Sequence, residues 1–68
     1  MTANELAQQI SQTVTNDAIS KGRGELLFKL AQQSGQAETA GQRTASGTCE
    51  NGKWKLSFYK GVPYFKVQ

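Results

Sequence analysis

The fold is decided by residues 43–67, which read RTASGTCENGKWKLSFYKGVPYFKV. Asn51-Gly52 lies between two segments of β-forming residues, and this dipeptide is the strongest short-range signal for a type I′ hairpin because both central positions need a positive φ. A second tight turn is expected at Gly61-Val62. The pattern therefore predicts three antiparallel strands, at about residues 43–50, 53–60 and 63–67.

The two turns set a register that sorts the strand side chains onto two faces of the sheet. With two-residue loops at these positions, Cys49 lies opposite Trp54 and Tyr59 lies opposite Tyr64. One face then collects large apolar side chains over small ones: Trp54, Leu56, Phe58, Phe65 and Val67 over Ala45, Gly47 and Cys49. The other face collects lysines, tyrosines and polar residues: Lys53, Lys55, Ser57, Tyr59, Tyr64 and Lys66 with Thr44, Ser46, Thr48 and Glu50. Slipping either pairing by one residue would mix the two sets.

The N-terminal segment has the pattern of an amphipathic helix at about residues 3–19. Thr2 and Glu5 have the spacing of a capping box, in which the threonine oxygen accepts from a free backbone N–H and the glutamate reaches back to the cap. Apolar side chains recur every four residues, at Leu6, Ile10 and Val14. We expect this narrow stripe to lie in the trough that the small residues leave on the apolar face of the sheet.

The middle of the chain leaves one element open. Residues 25–31 are rich in helix formers but also alternate as a strand does; both interpretations stay open, with a strand preferred because the small sheet would gain a neighbour. Residues 21–24, KGRG, are expected to form a flexible connector, although two glycines around an arginine could also let backbone N–H groups approach a phosphate. Residues 33–42 are expected to form an exposed, mobile loop. The whole pattern predicts one α+β domain over residues 1–68, an N-terminal amphipathic helix packed on a three- or four-stranded antiparallel β-meander.

Length and composition exclude most catalytic sites. The chain has 68 residues, no histidine and one cysteine, so the commonest general base and the usual zinc sites are missing. A chain this short has a small core and little room for a substrate-enclosing pocket. The sequence therefore predicts a non-enzymatic protein with no cofactor, no metal and no catalytic residue, in which Cys49 is a small core residue beside Trp54.

The positive charge is unevenly placed along the chain. The total is 8 Lys+Arg against 5 Asp+Glu, a net charge of +3. Residues 1–34 are balanced, whereas residues 51–68 contain lysines and no acidic side chain. Exposed lysines attract phosphates, and exposed tyrosines can stack on bases. We therefore predict a nucleic-acid-binding module whose contact residues are Lys53, Lys55, Tyr59, Tyr64 and Lys66, with help from Arg23 and Arg43.

Other interpretations of this face stay open. The lysines can keep a small sheet soluble and discourage edge pairing, while the two tyrosines stabilise a hairpin. The same face, or an exposed edge strand, can bind an acidic protein, as in a regulatory or phage-type interaction or inhibitor module. A small core also favours a homodimer. With one cysteine and no apolar run of membrane-spanning length, we expect a cytoplasmic protein without membrane contact.

Overall fold

The structure confirms an α+β fold in which the N-terminal helix packs on an antiparallel sheet. The computed structural model describes residues 1–41 and 43–68, which form two helices and five strands rather than the three or four strands predicted. The elements are α1 (Ala3–Ser11), β1 (Asn16–Ala18), α2 (Lys21–Gln33), β2 (Ala37–Glu38), β3 (Thr44–Cys49), β4 (Gly52–Tyr59) and β5 (Val62–Val67). The strand order is β1-β5-β4-β3-β2, and every neighbouring pair is antiparallel.

Both helices cover the same face of the sheet. Side chains from α1, α2 and the three central strands form one buried cluster: Ala3, Leu6, Ala7, Ile10, Leu27, Phe28, Ala31, Ala45, Trp54, Leu56 and Phe65. We call the sheet surface turned away from this cluster the outer face. Because side chains of a strand alternate between faces, the predicted separation of apolar from Lys/Tyr side chains is retained.

The β3–β4 hairpin turns one residue earlier than predicted. Its loop is Glu50-Asn51, because Cys49 lies opposite Gly52. The packing of Trp54 accounts for this register: the tryptophan lies opposite Gly47, where an added Cβ would come within 2.8 Å of the indole ring. The register thus places a residue without a side chain beside the largest side chain of the core.

The β4–β5 hairpin also turns one residue earlier than predicted. Its loop is Lys60-Gly61, and Tyr59 lies opposite Val62. Lys60 and Gly61 have φ values of 52° and 80°, as both central positions of a type I′ turn require. In residues 1–41 and 43–68, Lys60 is the only non-glycine residue with a positive φ, so the type I′ turn predicted at Asn51-Gly52 is not formed. Both pairings are offset by two residues from the prediction, and an offset of two preserves the faces.

Helix α1 is shorter than the predicted helix over residues 3–19. The capping box is present: the Glu5 N–H donates to Thr2 Oγ1 at 3.1 Å, and the Thr2 N–H donates to Glu5 Oε1 at 2.9 Å. The helix ends at Ser11, and Asn16–Ala18 instead adds an edge strand to β5. Long-range backbone bonds hold this segment, such as the one from the Val67 N–H to the Thr15 carbonyl at 2.9 Å. The apolar period continues to Val14, whose N–H still donates to the Ile10 carbonyl, but from Thr15 onward the backbone hydrogen-bonds with β5.

Residues 25–31 belong to helix α2, so the preferred strand interpretation is wrong. Ser20 caps the helix, and its Oγ accepts from the backbone N–H three residues later at 3.3 Å. Residues 21–24 therefore form the first helical turn rather than a connector. Gly24 permits α2 to approach β5 closely, because a Cβ there would come within 2.3 Å of the Pro63 Cβ.

The predicted loop over residues 33–42 contains regular structure. Residues Ala37–Glu38 form β2 beside β3. Gln36 fixes the entry to this strand, because its N–H donates to the Ala31 carbonyl at 2.7 Å and its carbonyl accepts from the Ser46 N–H at 3.1 Å. Gln42, the last residue of the predicted loop, lies outside the described residues.

Candidate functional site

The outer face is an exposed surface whose two ends differ in chemistry. On β4 the side chains run from Lys53 and Lys55 at one end to Tyr59 at the other, and antiparallel β5 places Lys66 and Tyr64 at the matching ends. All five side chains are exposed. We call Lys53, Lys55 and Lys66 the lysine end, and Tyr59, Val62 and Tyr64 the aromatic end. Five of the seven residues predicted as contacts therefore lie on one face.

The lysine end brings like charges directly opposite one another. Lys55 and Lys66 are cross-strand partners, and Lys53 exchanges backbone hydrogen bonds with Gln68 at 3.0 and 2.9 Å. In the predicted register Lys66 would have faced Ser57. A depression of about 360 Å³ at this end is lined by Ser46, Lys53, Trp54, Lys55, Lys66 and Gln68. Like charges directly opposite on a sheet are destabilising.

Within the part of the chain that the structure describes, no carboxylate forms an ion pair with these lysines, and the nearest acidic side chain in the loop at this end is that of exposed Glu50. The only ion pair there joins Arg43 to Glu25, on the helix side of the molecule. Asp17 lies opposite Phe65, whose side chain is in the core, and therefore belongs to the other face. Glu38 is on edge strand β2, two strands away from β4. The lysine end thus places three lysines without an ion-pair partner among the described residues at the solvent surface.

The aromatic end exposes three large side chains around the Lys60-Gly61 turn. Tyr59 is 59% exposed, Tyr64 41% and Val62 40%. Tyr59 lies opposite Val62 and Tyr64 opposite Ser57, so the two tyrosines are diagonal neighbours and not the directly opposed pair predicted. Such diagonal positions are about 7–8 Å apart, within reach of aromatic side chains. The rings therefore offer an apolar patch beside the lysine end.

Arg43 is not part of the outer face. Its guanidinium makes two hydrogen bonds to the Glu25 carboxylate, at 3.2 and 2.7 Å. It also lies 4.4 Å from the ring centroid of Phe28 and 4.2 Å from that of Phe58. The hydrogen bonds from Arg43 lower the pKa of the Glu25 carboxyl. This arginine covers the margin of the core, and a cation already bound in this way is a poor candidate for phosphate contact.

Arg23 is likewise separated from the lysine end. It lies exposed in the first turn of α2, on the layer that packs against the other face of the sheet. The structure therefore leaves the lysine and aromatic ends without either arginine.

A polar stripe on α1, formed by Asn4, Gln8 and Ser11, hydrogen-bonds with residues next to the lysine end. This stripe was not identified from the sequence. Asn4 Oδ1 accepts hydrogen bonds from Trp54 Nε1 at 3.0 Å and from Gln36 Nε2 at 2.9 Å. Further along the helix, the two remaining members of the stripe bond the β3–β4 loop: Gln8 Oε1 accepts from the Glu50 N–H at 2.8 Å, and Ser11 Oγ accepts from Asn51 Nδ2 at 2.9 Å. The spacing of residues 4, 8 and 11 places them on one side of a helix. This spacing could have been read from the sequence, but it does not identify the residues to which the three side chains bond.

The described residues lack the clusters that metal chemistry needs. Residues 1–41 and 43–68 contain no group of three or more His, Cys, Asp or Glu side chains placed to hold a metal ion. Cys49 is half-buried and packs against the core. Across the same residues, no helix is both long and apolar enough to cross a membrane.

No protein-family model, curated protein or solved structure matches this chain. The geometry of the outer face is therefore the basis on which a function is proposed.

Proposed function

We propose that this protein is a small non-enzymatic binding module that binds nucleic acid on the outer face of its sheet. The observation that carries the proposal is the direct opposition of Lys55 and Lys66, with Lys53 beside them and no ion pair to any of the three among the described residues. Such an arrangement costs folding stability. A phosphate backbone bound at the lysine end would relieve this repulsion.

The lysine end suits phosphate contact for a simple electrostatic reason. Lysines that neutralise phosphates release condensed counterions, and this release favours binding at low salt. Lys53, Lys55 and Lys66 are exposed, so they reach a ligand without rearrangement of the core. Tyr59 and Tyr64 add flat apolar surfaces on the same face. If the lysines served only to keep the sheet soluble, exposed aromatic rings beside them would have no purpose.

Charge reversal at the lysine end tests the proposal. We expect the double variant Lys55→Glu/Lys66→Glu to lose binding to labelled DNA and RNA oligonucleotides, measured by fluorescence anisotropy, while the wild-type affinity falls steeply with salt. The matched control is Lys21→Glu/Lys29→Glu, which changes the net charge equally but alters exposed residues of α2. Equal losses in both variants, or wild-type binding that is absent or insensitive to salt, would contradict the proposal.

A second candidate is an interaction or inhibitor module that binds an acidic protein. The aromatic end favours it, because exposed tyrosines beside positive charge also suit a protein interface. The contact would be the outer face, since the edge strands β1 and β2 have three and two residues and offer few free backbone groups. A complex that survives nuclease and moderate salt would favour this candidate, and sedimentation would reveal whether that partner is a second copy of the chain.

A further inference from the structure

The outer face has three lysines at one end and its aromatic surface at the other, where the Lys60 ammonium also lies 5.5 Å from the Tyr59 ring centroid. This combination of charge and aromatic surface favours one class of nucleic acid. We infer that the face binds single-stranded in preference to double-stranded nucleic acid, with phosphates at the lysine end and unpaired bases stacked at the aromatic end. The inference rests on the proposed function and goes beyond it, because phosphate contact alone would accept either form.

The exposed tyrosines are the first argument for a single strand. Stacking on an aromatic side chain needs an open base face, and in a duplex the neighbouring base pairs cover both faces of each base. Tyr59 and Tyr64 are 59% and 41% exposed and lie beside one another on the sheet surface. Only a strand with unpaired bases can use both rings together with the lysines.

The shape of the surface is the second argument. Reading a duplex through its major groove requires a helix or a two-stranded ribbon that enters the groove. Both helices lie on the opposite side of the sheet, and the lysines lie on its central strands β4 and β5. This broad surface offers a platform instead of a protruding element.

The dimensions of the platform match a short single strand. Lys66 and Tyr64 are two residues apart on β5, about 7 Å along the strand. Lys53 and Tyr59 are six residues apart on β4, about 20 Å. At about 3.4 Å per stacked nucleotide, this length accommodates about six nucleotides. Neighbouring nucleotides of one strand can therefore reach both ends of the face.

The two ends make separable contributions to binding. Three lysines give log K a slope against log salt of about −2 for a single strand, so affinity falls about 20-fold between 50 and 200 mM salt. Removing one stacking ring weakens binding about 5- to 150-fold with no change in that slope. Variants of the lysines should therefore change the salt dependence of the affinity, whereas variants of the tyrosines should lower the affinity at every salt concentration.

The experiment compares one labelled oligonucleotide of about ten nucleotides, longer than the estimated footprint, as a single strand and as a duplex with its complement. We expect the wild type to bind the single strand more tightly. Tyr64→Ala should weaken single-strand binding about 5- to 150-fold at an unchanged salt slope. Tyr64→Phe keeps the ring and should bind like the wild type. Tyr59→Ala, at the end of β4, provides a second test that does not depend on the fold tolerating a change at Tyr64.

The outcomes separate this inference from the proposed function. If the duplex binds as tightly as the single strand and both alanine variants bind like the wild type, the single-strand inference is wrong while phosphate binding at the lysine end stands. If neither form binds to the wild type, both fail. If the tyrosine variants lose a protein partner instead, the aromatic end belongs to the second candidate function.

Discussion

Reversing one charge of the Lys55–Lys66 pair should stabilise the fold while it weakens the proposed site. The two lysines are direct cross-strand partners on the exposed face of the sheet. Lys55→Glu or Lys66→Glu converts a repulsive pair into an attractive one. The same substitution removes a positive charge from the surface where we expect phosphate to bind. Stability and binding should therefore change in opposite directions.

The size of the effect follows from Coulomb's law. Taking the ammonium groups to be about 7 Å apart in water, their repulsion is about 0.6 kcal/mol, and screening at 0.1 M ionic strength reduces it to about 0.3 kcal/mol. Reversing one sign changes the interaction by twice that amount, about 0.6 kcal/mol. This value lies within the range of about 0.2–1 kcal/mol for cross-strand pairs. In a domain of this size it corresponds to about 2–5 °C in Tm.

Urea unfolding of both single variants and the double variant provides the assay. Each single variant should gain about 0.6 kcal/mol in the free energy of unfolding, whereas the double variant, again a like-charged pair, should return close to the wild type. In 1 M salt, where the Debye length is about 3 Å, the gains should disappear. Additive effects in the double variant, or gains that persist in high salt, would refute the reasoning that these two charges repel each other.

Two further substitutions test the packing that supports the site. Asn4→Ala removes the acceptor of the Trp54 indole N–H and should lower the free energy of unfolding by about 1–3 kcal/mol in thermal melts. Asn4→Asp keeps an acceptor and adds negative charge to the first turn of α1, so its free energy of unfolding should match or exceed that of the wild type. If both variants lose the same stability, the hydrogen bond to Trp54 contributes nothing to that loss. Gly24→Ala places a Cβ within 2.3 Å of the Pro63 Cβ and should cost about 1–3 kcal/mol despite better helix propensity. Gly22→Ala, which meets open space, should gain up to about 1 kcal/mol, and the reverse order would contradict the close approach of α2 to β5.

The elements that could be predicted are those whose signals are local. The capping box at Thr2 and Glu5 marks the start of α1, because its hydrogen bonds involve neighbours in the chain. Residues 13–18 and 37–38 carry no comparable local signal. Thr13 and Val14 still donate to the Ile10 carbonyl, but residues 15–18 hydrogen-bond with β5 and residues 37–38 pair with β3, so the partners of these strands are distant in sequence. The additional strands of the sheet could not be read from their own residues.

The open segment at residues 25–31 shows the same limit. Its composition fits a helix and its alternation fits a strand. The helix begins earlier than that segment, at a Ser20 cap, and packs against β5 through Gly24 and Pro63. Contact with a remote proline is invisible in the local pattern, so local composition, which favours a helix, and local alternation, which favours a strand, stayed balanced.

The sequence predicted which side chains of the candidate site share the outer face, but not which of them lie opposite one another. Alternation of period two places Lys53, Lys55 and Lys66 on the same side in any register that differs by an even number of residues. Local patterning therefore determined which side chains face solvent. It also indicated that residues 51–68 carry the excess of positive charge.

Tertiary packing determined which of those residues lie opposite one another. Trp54 lies beside Gly47, and its indole N–H bonds to Asn4 on α1, so the core selects one of the even registers. The β4–β5 register is a separate choice: its turn forms at Lys60-Gly61, and Phe65 of β5 stacks on Trp54 in the core. It is this register that sets Lys55 opposite Lys66 and the two tyrosines in a diagonal arrangement. A two-residue shift changes no side chain's face, so local alternation cannot distinguish these registers. The core distinguishes them, because Trp54 fits against Gly47 and Asn4 in only one β3–β4 register and Phe65 stacks on Trp54 in the observed β4–β5 register.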